Sequence, residues 1–234
     1  MGTLFDRRWL RVIAESTAVV VSILLAFTID AWWVERSDRQ AEREELSRLY
    51  EEFTRNRDRL HEDVLLDSRS GQNRAYEGGA RLLEMLRAHK GPEETVAVSN
   101  RLLLDVTAAP SFDATTPVLD GLILSGRLAI IEDRNVLSAI SEWNRWVSQT
   151  SEVELHARDL ALGQLYPALA ERGNLGGVLD EENLDRQISM RVDDEILGLV
   201  ALRVRMMTLA LSNLSDLRDS ADGVLEAIDL AQAR

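Results

Sequence analysis

The fold is decided by residues 12–34, which read VIAESTAVVVSILLAFTIDAWWV. Eleven of these twenty-three residues are Val, Ile, Leu or Phe, and no charged residue lies between Ser16 and Ile29. Near the centre of a bilayer, these eleven side chains together contribute about −3 to −7 kcal/mol of insertion free energy. A helix of this length rises about 34 Å, enough to cross a hydrocarbon core of ~30 Å. The stretch therefore predicts a single transmembrane helix.

Polar and aromatic residues lie towards the two ends of this predicted span. Glu15 and Asp30 are on the order of 10 Å from its centre, where a carboxylate costs less than the roughly 2.5–3.5 kcal/mol of the midplane. Trp9, Trp32 and Trp33 lie at the expected head-group levels, and we interpret them as interfacial anchors. The ends of the span therefore fit the two membrane surfaces.

A cleaved signal peptide is the alternative interpretation, because Arg7, Arg8 and Arg11 form a basic region before the apolar one. Residues 26–28 lack an Ala-x-Ala cleavage pattern, which favours a retained anchor. A short basic tail also resists translocation. We therefore expect residues 1–11 in the cytoplasm and the larger domain outside it.

One face of the predicted span is small and polar. At 100° per residue, its five members fall within an arc of about 120°. They are Glu15, Ala18, Ser22, Ala26 and Asp30. Such a stripe could pack against a partner helix or a second copy, or its carboxylates could simply extend to the head groups. The sequence leaves both interpretations open.

Composition excludes several function classes. The 234 residues include no Cys, so disulfides and thiol chemistry are absent. The formal charge of −13 repels phosphate backbones and argues against nucleic-acid binding. His61, His89 and His156 lack the Glu-x-x-His spacing of di-iron bundles, so we expect no metal, no cofactor and no enzymatic activity. Acidic pairs such as Glu44-Glu45 and Glu51-Glu52 are interpreted as solvated helix faces.

The remaining chain reads as helices without alternating strand patterns. We expect residues 35–67 to form a stalk and the first bundle helix, and residues 68–234 to complete the bundle. Apolar spacing predicts helical segments across 75–86, 96–106, 136–165 and 196–228. Trp143 and Trp146 follow this helical period and are interpreted as core residues rather than the floor of a ligand pocket. The predicted fold is all-α, an antiparallel helical bundle after one membrane span.

A short corner is predicted between residues 116 and 133. Thr116 and Pro117 are typical of a helix start, and Ser125-Gly126 of a helix end. Beyond it, Leu128 and Ile131 should pack inward, and Asp133 can cap the next helix.

The corner sequence and the anchor, from Trp9 to Arg36, resemble a family of uncharacterised bacterial single-span membrane proteins with a helical soluble domain. This resemblance covers about a quarter of the chain. It implies a bacterial inner-membrane helical protein, and it implies no activity. Combined with the topology predicted from the basic tail, this places the bundle, as an expectation, in the periplasm.

Three functions are compatible with these features. The first is a non-enzymatic accessory or scaffold subunit that contacts the lipid bilayer and either a membrane-protein partner or further copies of itself. The second is a proton-coupled transducer of the stator type, although Asp30 lies near the end of the span rather than at its middle. The third is an extracytoplasmic ligand sensor, which would need a separate output protein because only about eleven residues precede the span.

Overall fold

The computed structural model describes residues 3–89, 95–173, 175 and 181–233, with the backbone alone at 3–14, 16, 18, 19, 63 and 181. The α-helices are α1 (Thr3–Asp58), α2 (Gly71–Ala88), α3 (Asn100–Thr107), α4 (Pro117–Leu124), α5 (Arg134–Leu160), α6 (Tyr166–Arg172) and α7 (Asp194–Gln232). Short π-helical or 3₁₀ segments extend or link them at Arg59–Leu66, Arg127–Ile130, Ala161–Leu165 and Glu181–Asn183. The chain is thus mostly helical, as predicted.

Several helix boundaries follow the expected capping chemistry. The first helix continues through its π-helical segment and stops at Asp67, where the backbone becomes extended. Asp133 caps α5 by accepting the Asn135 N–H at 2.8 Å, and Asp193 caps α7 by accepting the Ile196 N–H at 3.0 Å. These carboxylates satisfy amides that the helix itself leaves unpaired.

The expectation that strands are absent is wrong. Strand β1 (Thr95–Ser99) pairs antiparallel with β2 (Gln187–Arg191), and Val96 lies opposite Met190. Val96 and Val98 alternate with more exposed residues, so they belong to a strand rather than to the start of the predicted helix, which begins only at Asn100. Two apolar positions were too short a pattern to identify the strand.

Helix α7 contributes residues to each of the apolar clusters that hold the bundle together. It runs antiparallel to α5, because Ala139 and Trp146 lie beside Gly223 and Asp216 whereas Ala157 lies beside Arg203. Two apolar clusters follow its length, one shared with α1, α4 and α5 and the other with α2, α3, α6 and the sheet. A small third cluster, in which Met207 of α7 joins Ala75 of α2, also includes residues of α7. One helix therefore contributes to every part of the core.

Arg203 places a positive charge in the middle of this core. Its side chain is fully buried, and its guanidinium donates to the carbonyl oxygens of Val106 at 3.1 Å, Ala157 at 2.9 Å and Ala108. Burial lowers the pKa of Arg203 to about 10. Two of the three carbonyls lie at the end of α3, where the helix dipole is negative, so the charge is compensated by backbone rather than by a carboxylate.

Arg203→Met is expected to lower the free energy of unfolding by about 2–5 kcal/mol, because it leaves buried carbonyl oxygens without their donor. Urea unfolding of the full chain in detergent micelles, followed by circular dichroism, measures the change. Arg205→Met is the matched control, since Arg205 is exposed on the same helix. Equal unfolding midpoints for the two variants would contradict the role given to Arg203.

Candidate functional site

The most unusual surface is the part of α1 that precedes the bundle. From Val20 to Val34 its ten large apolar side chains are each between 49% and 68% exposed. Since the exposed positions run around the whole helix, no face of this segment is packed against the bundle. Contiguous apolar surface of this kind marks a membrane or protein contact. We call residues 20–34 the apolar segment.

Three of the five residues of the small and polar face lie on this same segment. Ser22, Ala26 and Asp30 are exposed, as are Trp32 and Trp33. Glu15 is exposed further towards the N-terminus, whereas the side chains of Trp9 and Ala18 lie outside the described residues.

Hydrogen bonding within the helix satisfies the hydroxyl of Thr28, which donates to the carbonyl oxygens of Leu24 at 2.8 Å and Leu25 at 3.0 Å.

Among the residues that the structure describes, no helix is both long and apolar enough to cross a membrane. Several side chains in the first part of the predicted span, including that of Val12, lie outside the described residues.

Helix α4 begins with a cap supplied by another helix. Thr116 occupies the predicted cap position, but its hydroxyl donates to the Asp120 carboxylate instead of capping the backbone. The Glu52 carboxylate of α1 accepts the N–H groups of Val118 at 2.6 Å and Leu119 at 3.1 Å. Glu52 is 1% exposed, and its burial raises its pKa. The interpretation of Glu52 as a solvated carboxylate is therefore wrong.

The corner after α4 closes at Gly126. Gly126 has a φ of +72°, a left-handed conformation that favours glycine. The hydroxyl of Ser125 donates to the Gly121 carbonyl at 2.6 Å, so the helix end is satisfied locally. Ile131 is buried and Leu128 packs half-buried against the same core, whereas Leu124 is 87% exposed.

Two contacts attach this corner to α1 just after the apolar segment. Arg127 lies 2.8 Å from the carboxylate of Glu45, which is 4% exposed and was likewise wrongly interpreted as solvated. The Glu132 N–H donates to Glu42 at 2.8 Å. Between these elements lies a groove of about 440 Å³. Its walls combine apolar and charged side chains, those of Ala31, Val34, Glu35, Asp38, Arg39, Glu42, Ile130 and Glu132.

The loop from Ala108 to Thr116 is held by polar side chains from three helices, α1, α5 and α7. Asn56 bonds both backbone groups of Thr115, accepting its N–H at 3.0 Å and donating to its carbonyl at 2.8 Å. On the other side, the Phe112 N–H donates to both carboxylate oxygens of Glu154, at 3.0 and 3.1 Å. The loop is therefore fixed at its middle and at its end. Neither Asn56 nor Glu154 had been singled out from the sequence, since each sits in an ordinary amphipathic pattern.

A cavity of about 100 Å³ lies beneath this loop. Trp143 and Thr150 line it, and the Trp143 indole N–H and the Thr150 hydroxyl are buried without a hydrogen-bond partner. Trp143 also packs edge-to-face on Phe53 with ring centroids 5.2 Å apart, so its predicted core position is confirmed. Trp146 is only half-buried, and its indole N–H donates to Glu142 at 3.1 Å.

Within the described ranges, His, Asp and Glu side chains form no cluster that could hold a metal ion. The arrangement instead defines a helical bundle from which one apolar helix projects. Comparison of the chain with models of known families, with curated proteins and with solved structures found no match.

The stability of the bundle should fall as the pH rises from about 5 to 7, because burial raises the pKa of Glu154 from 4.5 to about 7. Between these pH values the folded protein holds a proton on Glu154 that the unfolded chain releases. The free energy of unfolding therefore falls by up to ~1.4 kcal/mol per pH unit. By about pH 8 the carboxyl is ionised in both states and the loss is nearly complete.

Glu154→Gln should weaken this dependence and raise the unfolding midpoint at pH 8 above that of the unmodified protein. Because the pKa of Glu52 is also raised, the stability of this variant should still fall somewhat as the pH rises. Glu152→Gln, an exposed change two residues away, is the control for net charge. Identical pH profiles for the two variants would show that Glu154 does not carry the effect.

Proposed function

We propose that this protein is a single-span, non-enzymatic accessory or scaffold subunit of the bacterial inner membrane. In this proposal the residues around the apolar segment cross the bilayer, the N-terminal tail is cytoplasmic and the bundle is periplasmic. The observation that carries it is the apolar segment itself, whose large side chains are at least 49% exposed and need an apolar environment. The proposal is also supported by the basic tail and by the resemblance to single-span membrane proteins.

The aromatic residues at the C-terminal end of the apolar segment, and the charged residues just after it, support a membrane boundary at this level. Trp32 and Trp33 are exposed side by side, and the guanidinium of Arg36 lies 5.7 Å from the Trp32 ring centroid. Arg39 forms an ion pair with Glu35 one turn earlier. Trp and Arg side chains are favoured where the hydrocarbon meets the head groups.

A structural role for the bundle is supported by what its buried ionisable groups contact. Arg203 donates to three backbone carbonyls, while Glu52 and Glu154 accept backbone N–H groups. These groups join the loop and helix ends of the bundle. Such use of buried charge suits a rigid docking body rather than a reaction centre.

The partner is proposed to contact the face formed by Ser22 and Ala26. Both residues are small and one turn apart, which allows two helix backbones to approach closely. Leu24 lies on the opposite side of the helix, about 180° from the centre of that face. The two sides can therefore be compared within one membrane level.

A photo-crosslinkable amino acid at Ala26 should give a discrete adduct in native membranes, whereas one at Leu24 should give lipid adducts or none. Mass spectrometry of the Ala26 adduct distinguishes a partner from a second copy of the chain. After mild solubilisation, blue-native electrophoresis should show a complex larger than the monomer. A lone monomer together with equal adduct yields at both positions would contradict the scaffold function.

A further inference from the structure

The corner after α4 lies at the end of the bundle that faces the apolar segment. Along α1, Glu52 contacts the start of α4, Glu45 contacts Arg127, and Glu42 contacts Glu132. From the start of α4 to Glu132, the successive contacts therefore lie ten residues, or about 15 Å, closer to the apolar segment along α1. At the end of this path Ile130 shares a groove with Ala31 and Val34.

Helix α5 runs away from the apolar segment, opposite to the path of the corner, and so distinguishes the two ends of the bundle. Glu132, just before the start of α5, contacts Glu42 of α1. Further along α5, Trp143 packs on Phe53, which lies eleven residues further along α1. The far end of α5 therefore points away from the apolar segment. Leu162, 54% exposed just after α5, lies at that distant end.

The tip of the corner is apolar and exposed. Leu124 is 87% exposed and its neighbour Ile123 is 47% exposed, and both precede the tight turn at Gly126. Adjacent apolar side chains at the tip of a loop differ from the single exposed leucines found elsewhere on the bundle.

Backbone polarity does not prevent this tip from entering an apolar environment. The Gly121 carbonyl accepts from the Ser125 N–H at 3.0 Å and from its hydroxyl, the Ile123 carbonyl accepts from the Gly126 N–H at 3.1 Å, and the Leu128 carbonyl accepts from the Ile131 N–H at 3.1 Å. These bonds remove much of the cost of taking a helix end out of water.

From these placements, and resting on the membrane anchor of the proposed function, we propose that the corner formed by Ile123, Leu124 and Ile130 inserts into the head-group region of the same bilayer. The occupant is lipid because Ile130 shares a groove with Ala31 and Val34, the residues that flank Trp32 and Trp33 on α1. Two points of contact, the span and the corner, then fix the tilt of the bundle over the membrane.

The test uses the absence of Cys, which allows single-cysteine labelling of the full chain without background. Leu25→Cys, Leu124→Cys and Leu162→Cys are each labelled with an environment-sensitive fluorophore. The proteins are reconstituted into vesicles of phosphatidylethanolamine and phosphatidylglycerol, with or without lipids that carry a nitroxide quencher. The nitroxide lies near the glycerol backbone in one set of vesicles and deep in the acyl chains in a second set, so that both membrane depths are sampled. Circular dichroism checks the fold of each labelled protein.

The proposal predicts blue-shifted, nitroxide-quenched emission at both Leu25 and Leu124, with Leu162 unshifted and unquenched. If Leu25 responds and Leu124 behaves like Leu162, the corner proposal is overturned while the anchor stands. A blue shift at Leu124 without nitroxide quenching also overturns it, because protein rather than lipid then covers the corner. If Leu25 itself shows no response, the anchor fails and the corner proposal fails with it.

Discussion

One continuous helix has to satisfy two opposite solvation demands. The apolar segment of α1 exposes apolar side chains on all sides, whereas from Leu46 onward one stripe of the same helix is buried in the bundle core. Because the helix is uninterrupted from Thr3 to Asp58, whatever covers the apolar segment also positions the bundle. The change occurs between Val34 and Leu46, where charged residues dominate and where the corner makes its contacts with Glu42 and Glu45.

Beyond this junction, the bundle is organised by buried polar groups that act on backbone. Glu52 caps a helix that lacks its own side-chain cap, Glu154 holds the middle of a loop, and Arg203 closes the end of α3. Each satisfies groups that irregular chain segments leave unpaired. Each of these three connections is therefore tied to a neighbouring helix, which suits a body that presents one surface to a membrane or partner.

The helices could be predicted from the sequence because their signals are local. Asp133, Asp193 and Gly126 act within a few residues of their positions, and the long apolar period of α7 identifies it alone. The sheet could not, since its strands are five residues each and lie about ninety residues apart. The role of Glu52 was equally hidden, because its partners are 66 and 67 residues away and a glutamate on an amphipathic helix is ordinarily solvated. For the same reason the sequence did not bring the corner and the anchor together.

Alkaline carbonate extraction of membranes tests most directly whether the apolar segment resides in a bilayer. The unmodified protein should remain in the membrane pellet, and so should Leu162→Asp, whose change lies at the far end of the bundle. Leu24→Asp combined with Leu25→Asp should release the chain, since two carboxylates near the middle of the span cost about 5–7 kcal/mol. Release of the unmodified protein, or retention of all three forms, would contradict the account.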